Sequence, residues 1–345
     1  MGLNRIGASQ PTRVVAAIAR LLMEHGCRVL IADSPGGGVI YSEANLRRAY
    51  ARAGYMAAAE ETGAALNYDT GSSSVSFPEG AVMRQFSIIT PAAEADGIVV
   101  VSKAKTHMWT RMTGATKNLF GIIPGLEKPV FHSRFQDERT FGEMLVDLNE
   151  CMRPRLQVVD AVMGMEGDGP QAGTPRKIGA ILAGSHYAAV DTVLARLIGI
   201  EPLEIGCIAS AAERDLFNPA DVRTVGDDPA ALAVPDFRKP YAYAGARGGV
   251  GRRVSLALLG RFGRIYAPRP RCDQRGVHRL PEVRTDLPGA CDHRHRRQSV
   301  DRPLTVHPVL LLPRDVYRTC HHPVKGSRRE GSLPPFRLRS RPDNL

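Results

Sequence analysis

The run Gly97-Ile98-Val99-Val100-Val101-Ser102 has no polar alternation, so as a strand it must be covered on both faces. Runs of the same kind recur at 28–32, 81–88, 156–162 and 178–183, with a short one at 222–225. Between them lie stretches with apolar residues at helical spacing. Residues 12–25 follow Pro11, which a first turn tolerates, and stop at Gly26; residues 43–62 stop at Gly63. Further helical stretches read at 91–96, 139–151, 187–198 and 205–214. Buried strands alternating with amphipathic helices predict an α/β domain over residues 1–230, with a mainly parallel sheet flanked by helices. The pattern decays after Pro229. A glycine-rich stretch at 244–251 and a short apolar helix at 254–262 predict a linker over 231–267. Residues 268–345 are rich in Pro and charge and lack apolar periodicity, which predicts a disordered basic tail.

The 345-residue chain carries a formal charge of +11, a balance that suggests nucleic acid or an anionic membrane as partner. Its distribution argues against both. Residues 268–345 hold 17 Lys and Arg against 8 Asp and Glu, which is +9 of the +11, so residues 1–267 carry only +2. The tail has no aromatic interleaving and no nucleic-acid motif. The sequence lacks an apolar stretch of roughly 18 residues that would span a membrane, and its start lacks a signal-peptide apolar run. The expected setting is cytoplasmic, with no membrane partner and nucleic acid disfavoured. Cys27, Cys151 and Cys207 are scattered and suggest neither a disulfide framework nor a metal site.

The tail's enrichment in Arg, Pro, His and Leu is what GC-rich codons give when read out of frame. A +1 shift turns Val (GTG) or Leu (CTG), before a codon beginning with C or T, into a cysteine codon. Val277, Leu280, Val283 and Leu287 are followed by His278, Pro281, Arg284 and Pro288, so the shifted text reads C-x-x-C-x-x-C-x-x-x-C-P. That is the ligand run of a bacterial two-cluster ferredoxin. Val306, Val309, Leu312 and Val316, before His307, Leu310, Pro313 and Tyr317, repeat the spacing in the same frame, 29 residues on. As written, the tail offers Cys272, Cys291 and Cys320, too few and too far apart for a cluster. The chain as written is expected to bind no cofactor, and two 4Fe–4S clusters if the frame is restored. A shift in the read would hide an iron–sulfur protein. A shift in the genome would make the chain the inactive product of a decaying gene.

The densest chemistry lies at 102–132, SKAKTHMWTRMTGATKNLFGIIPGLEKPVFH, after a buried strand whose carboxyl end is where open α/β sheets bind ligands. No acid occurs between Asp96 and Glu127. Such a loop suits a carboxylate or phosphate through charge-assisted hydrogen bonds, and its glycines let backbone approach a ligand. Lys105, His107 and His132 are the candidate acid–base groups, given a burial that shifts their pKa. Lys103, Thr113, Gly114, Lys117, Asn118 and Lys128 are candidate ligand-binding residues, joined by Asp33 and Ser34 from a strand-ending Asp-Ser-Pro-Gly loop. A solvated basic loop with ordinary turn glycines is the competing explanation. A second stretch, 160–175, carries Asp160, Glu166 and Asp168 among glycines. It fits a cation site, a Lys-orienting or acid–base role, or merely a crossover loop, and Asp168 joins the ligand-binding candidates. Asp191, read at a helix start, fits a helix-dipole role. His25 and His186 stand alone, and Trp109 either covers a site or packs.

Residues 12–226 resemble the uncharacterised domain family numbered 362, often fused to a two-cluster ferredoxin tail. The matching signatures are Asp33-Ser34-Pro35-Gly36, Lys103-Ala104-Lys105-Thr106-His107, Thr113 to Leu119, Pro124-Gly125 with Lys128 and His132, and Gly167-Asp168-Gly169-Pro170. The resemblance implies an iron–sulfur-associated redox protein that binds a small anionic ligand and meets a redox partner. Such domains open with a strand carrying Lys-Pro-Asn, which residues 1–10 lack, so a sheet element and a ligand-binding Lys are expected to be missing. Thr113-Gly114 with Lys117, Pro124-Gly125 and His132 also looks like the site segment of nickel-pincer lactate racemases. That similarity implies, as an alternative, a non-redox isomerase of a hydroxy acid with His107 or His132 as proton shuttle.

Overall fold

The computed structural model describes residues 12–36, 39–170 and 172–241, together with the backbone of 307–312. Helix α1 (Thr12–Glu24) buries Val14, Ala16 and Ala19. Strand β1 (Leu30–Ile31) pairs in parallel with β2 (Ala65–Leu66), and α2 (Glu43–Ala53) and α3 (Tyr55–Thr62) lie between them. The sequence predicts one helix there. Gly54 divides it by taking φ 81°, a left-handed conformation that ends α2 and opens α3. Strands β3 (Ser72–Ser76) and β4 (Gln85–Ile89) form an antiparallel pair that runs into the short α4 (Thr90–Ala93).

The main sheet contains β5 (Val99–His107), β6 (Arg111–Thr113), β7 (Leu156–Glu166), β8 (Thr174–Gly184), β9 (Val222–Gly226) and β10 (His307–Leu312), in the order β6-β5-β7-β8-β10-β9. It is mixed, a correction to the mainly parallel sheet expected. β5 lies parallel to β7 and β9 to β10, whereas β5–β6, β7–β8 and β8–β10 are antiparallel. The physical reason is a turn. β7 runs past its apolar stretch to Glu166 and returns through 167–173 directly into β8, where the sequence had offered a crossover loop. A connection that short joins only antiparallel strands. Likewise β5 does not stop at Ser102 but continues to His107, turns at 108–110 and pairs back through β6.

The remaining helices are α5 (Ala115–Asn118), leading into a 3-10 turn (Leu119–Ile122), then α6 (Glu127–Arg134), α7 (Glu138–Met152), α8 (Tyr187–Leu197), α9 (Gly206–Glu213) and α10 (Pro229–Leu232). One core joins Val159, Ala161 and Leu182 of the sheet to Val190 and Leu194 of α8 and Ile208 of α9. A second joins Phe141, Met144, Leu145 and Leu148 of α7 to Ile88 and Ile89 of β4 and to Leu119, Phe120 and Ile123. Helices α7 and α9 touch at glycine. A Cβ on Gly142 would lie 2.6 Å from the Gly206 carbonyl carbon and 2.7 Å from Cys207 N, which are backbone atoms that cannot rotate away. Gly142→Ala gains about 1 kcal/mol of helix propensity. It is nonetheless expected to lose ~2 kcal/mol net, because the helices must separate. A lower urea midpoint at unchanged slope is the readout.

The chain stays packed past residue 230, where the sequence predicts a linker. Phe237 is buried in the first core, Val234 N donates to Leu197 O at 2.7 Å, and Arg238 binds Glu166. The linker helix expected at 254–262 and most of the 268–345 tail lie outside the described residues. Within that tail, the backbone of 307–312 is drawn into the sheet between β8 and β9.

Candidate functional site

The site is assembled where β5 meets the turn into β6. Lys105 and His107 lie near the carboxyl end of β5, and Thr113 on β6 stands directly across from Lys105. From the other side come Lys117 on α5, and Lys128 and His132 on α6. The Asp33-Ser34 loop that follows β1 closes over them. Ser34 N donates to Gly121 O at 3.0 Å, and Lys128 Nζ donates to Gly121 O at 3.2 Å and also to Ser34 O. Asp33 rests on Gly121 so closely that a Cβ there would meet its Oδ1 at 2.7 Å. Gly121 thus lets the Asp33 carboxylate, the Lys128 ammonium and the 3-10 turn share one place.

The electrostatics of this cluster are lopsided. Burial raises the Asp33 pKa, with Lys128, the Ser34 N–H and Lys105 pulling it back. Burial lowers Lys105, against Asp33. Lys117 is lowered to about 7, by burial first and then by Lys105 and Lys128. Lys128 falls to about 8 by burial, with Asp33 opposing. His107 drops to about 2 through burial, Lys117, His132 and Lys105, and His132 to about 4 through burial and Lys117. Both imidazoles are therefore neutral near pH 7. The tautomer of His107 is fixed: its Nδ1 accepts from Trp109 N at 3.0 Å and Thr110 N at 3.3 Å, leaving the proton on Nε2. The His132 ring stacks on Phe141 at 4.8 Å and lies 5.7 Å from Trp109, its Nδ1 buried without a partner. Among the described residues, Ser34 Oγ, Thr113 Oγ1 and Trp109 Nε1 are likewise buried and find no partner. Buried polar atoms are rarely left so; here Ser34 adjoins Lys128, and Thr113 lies across from Lys105.

Lys117 Nζ lies 5.6 Å from the Phe120 ring and 5.9 Å from Phe141. Its helix is held by Asp191, which sits mid-helix in α8 and not at a helix start as the sequence suggests. Asp191 accepts from Ala115 N at 2.6 Å and Thr116 N at 2.9 Å, and its pKa is raised to about 6 by burial against those bonds. Gly114 makes room for this carboxylate, since a Cβ there would meet Asp191 Oδ1 at 2.0 Å. Gly114 and Asn118, the latter donating to Val101 O at 3.1 Å, thus build the scaffold of the site.

Two candidates lie apart. Lys103 pairs with Asp160 at 2.8 Å across β5 and β7, both buried. Asp160 lies mid-strand in β7. Lys103→Met is expected to cost ~3–5 kcal/mol because it strands a buried carboxylate, whereas Lys103→Met with Asp160→Leu recovers most of that loss. A double-mutant cycle by chemical denaturation checks it. Asp168 is exposed on the β7–β8 turn and accepts from Tyr241 N at 2.8 Å, and Glu166 is taken by Arg238. That turn still touches the site's strand, because Met108 N donates to Gly169 O and Thr106 Oγ1 to Gly167 O at 2.6 Å.

The iron–sulfur expectation finds no ligands in this part of the chain. Cys27 is exposed, Cys151 half-buried and Cys207 buried, all three are free, and among the described residues no group of three or more His, Cys, Asp or Glu fits a metal ion. Of the shifted positions, Val309 and Leu312 fall in β10 and the other six lie outside the described residues. No helix among the described residues is long and apolar enough to cross a membrane.

Fold and site together define an α/β protein with a lysine cluster at the carboxyl end of β5, the strand next to the β6 edge of its main sheet. The chain belongs to the family described as Domain of unknown function (DUF362), matched over residues 6–196, a span that includes every residue of the cluster. It is 31% identical over 248 residues to the thylakoid-associated protein sll1697 of Synechocystis sp. (strain ATCC 27184 / PCC 6803 / Kazusa), covering 69% of this chain and 73% of that protein. No solved structure matches the chain.

Proposed function

We propose that the domain binds a small carboxylate or phosphate between Lys105 and Lys117, with Lys128, Thr113 and Ser34 around it. One observation carries this reading: neither the Lys105 nor the Lys117 ammonium makes a hydrogen bond or a close ion pair with a described residue, although burial penalises both charges and Lys105 and Lys128 further repel that of Lys117. An anion relieves that penalty and partners the orphaned hydroxyls. Trp109, the single Trp, reports on it from beside His132. Titration with inorganic phosphate and with lactate should give a saturable change in its fluorescence that is lost in Lys105→Met. A flat response to both anions, with no rise in melting temperature, would overturn the reading.

The redox half of the proposal rests on the family resemblance and on the shifted cysteine runs. Resequencing across codons 255–290 tests it. An inserted or missing base would restore both runs and make electron transfer from two 4Fe–4S clusters the expected role of the tail; a confirmed reading removes it from this chain. A hydroxy-acid isomerase is the second reading, favoured by the placement of neutral His107 and His132 around Lys117. Exchange of the C2 hydrogen of lactate in D2O, without added electron carriers, would support it.

A further inference from the structure

The geometry points to Lys117 as a covalent-binding residue, whose amine condenses with the carbonyl of a small 2-oxo acid held by the neighbouring lysines. This rests on the anion-binding reading and goes beyond it by naming the reactive atom and the substrate class. Three arrangements support it. The Lys117 amine faces the rings of Phe120 and Phe141 at 5.6 and 5.9 Å, weak contacts that stand where a carboxylate or a hydrogen-bond acceptor would otherwise hold its proton. Two further cations, Lys105 and Lys128, act on it from the same cluster. Apart from its ring contacts, it has no described partner to hold its proton, and Asp33 is engaged instead with Lys105 and Lys128. A lysine desolvated beside other cations is the arrangement that yields a free nucleophilic amine near neutral pH. The lowered pKa agrees with this.

The chemistry balances without a co-reactant. The neutral Lys117 Nζ attacks the ketone carbon, forming one C–N bond while the carbonyl π pair moves to oxygen. One proton passes from the attacking nitrogen to that oxygen, giving the carbinolamine; its hydroxyl then takes a second proton and leaves as water, and the nitrogen lone pair forms the C=N bond of an iminium ion. Lys105 is placed to bind the substrate carboxylate, and the Lys128 ammonium to supply the proton. An iminium next to a carboxylate withdraws electrons from the carbons on either side, so the class of reaction served is exchange or cleavage at those carbons. A 2-oxo acid satisfies both features of the site: its carboxylate answers the cations and its carbonyl answers the amine. A 2-hydroxy acid answers only the first.

The test is reductive trapping on the full chain. The protein is incubated with pyruvate and cyanoborohydride between pH 6 and 9, and the product is read by intact mass and peptide mapping. The expected result is one adduct per chain on Lys117, with a rate that reaches half its maximum near pH 7. At pH 7 an ordinary lysine is free amine in about one part in a thousand or less, so labelling of Lys117 should exceed that of Lys177 or Lys239 at least ~10-fold even after its lower nucleophilicity is allowed for. Lys117→Arg, which keeps a cation but no nucleophilic amine, should lose the adduct. Adduct spread evenly over many lysines, or a rate still climbing at pH 9, overturns the inference. A Trp109 response to pyruvate without any adduct overturns it and leaves anion binding standing, whereas loss of both fells the two together. Mapping and the pH profile need only the wild-type protein, so a poorly folding variant does not rescue the idea.

Discussion

Asp147→Ala is expected to cost ~4 kcal/mol or more, enough to unfold a domain of ordinary stability, although the residue belongs to neither candidate stretch. Asp147 lies on the buried face of α7 with no exposed surface. Its two oxygens accept from Ala81 N at 2.9 Å, Val82 N at 2.8 Å and Met83 N at 2.9 Å, and Arg214 Nη1 stands 2.9 Å from Oδ1 as an ion-pair partner. One carboxylate thus pins the turn before β4 to the helix that underlies it, and pins α9 through Arg214. Removing it orphans the Val82 and Met83 amides, each at a cost of about 1–3 kcal/mol. The exposed Ala81 amide recovers a bond from water, but a half-buried guanidinium is left without its counter-charge. Asp147→Asn keeps one acceptor oxygen and should lose roughly half as much. Urea denaturation decides between outcomes: a loss under ~1 kcal/mol for the alanine variant would mean that this turn is held by its apolar contacts alone.

The fold's framework was legible where hydrophobic period speaks, and failed where a polar residue does structural work inside an apolar pattern. The strand at 97–102 and the helices at 139–151 and 187–198 all stand in the structure within a few residues. Asp147 and Asp191 were missed as anchors, because within an amphipathic helix a single buried acid looks like a polar-face residue. Only the three-dimensional partners reveal that each one caps another segment's amides. Lys103, Lys105 and His107 were read as loop residues for the converse reason. Charge ends an apolar run in the sequence, but the β6 hairpin and the extended β7 supply enough pairing to carry β5 through them. The clustering of Asp33, Lys105, Lys117, Lys128 and the two His was foreseen as a loop's composition. Its imbalance, one carboxylate against three lysines, was not, since pairing is a property of neighbours distant in the chain. The mixed sheet was invisible because a glycine-rich segment reads the same whether it turns a hairpin or begins a crossover.

Lys117→Met should make the unliganded protein more stable while reducing affinity for a small anion ~10- to 100-fold, the loss expected when a charged hydrogen bond is removed. The sign of the stability change follows from linkage. The Lys117 pKa is about 7 in the folded protein and near its ordinary 10.5 when unfolded. Between those values the unfolded chain holds more protons, so wild-type stability rises with pH from about 7 and levels off near 10.5. Below 7 both states are protonated and the full cost of burying the charge beside Lys105 and Lys128 is present. Methionine preserves length and packing against Phe120 and Phe141 without that cost. The variant should therefore melt higher at pH 7, with a shallower rise above it, the residual slope coming mainly from Lys128 and Lys105. The partial access of solvent to Lys117 softens the effect to roughly 1 kcal/mol. Saturating phosphate should raise the wild-type melting temperature and leave the variant's unchanged. An equal phosphate shift in both proteins would place the anion elsewhere, and a variant that melts lower would show that Lys117 already has a partner. A gain in stability coupled to a loss of binding is the signature of a charge retained for a ligand, because within the described chain only two distant ring contacts offset its burial.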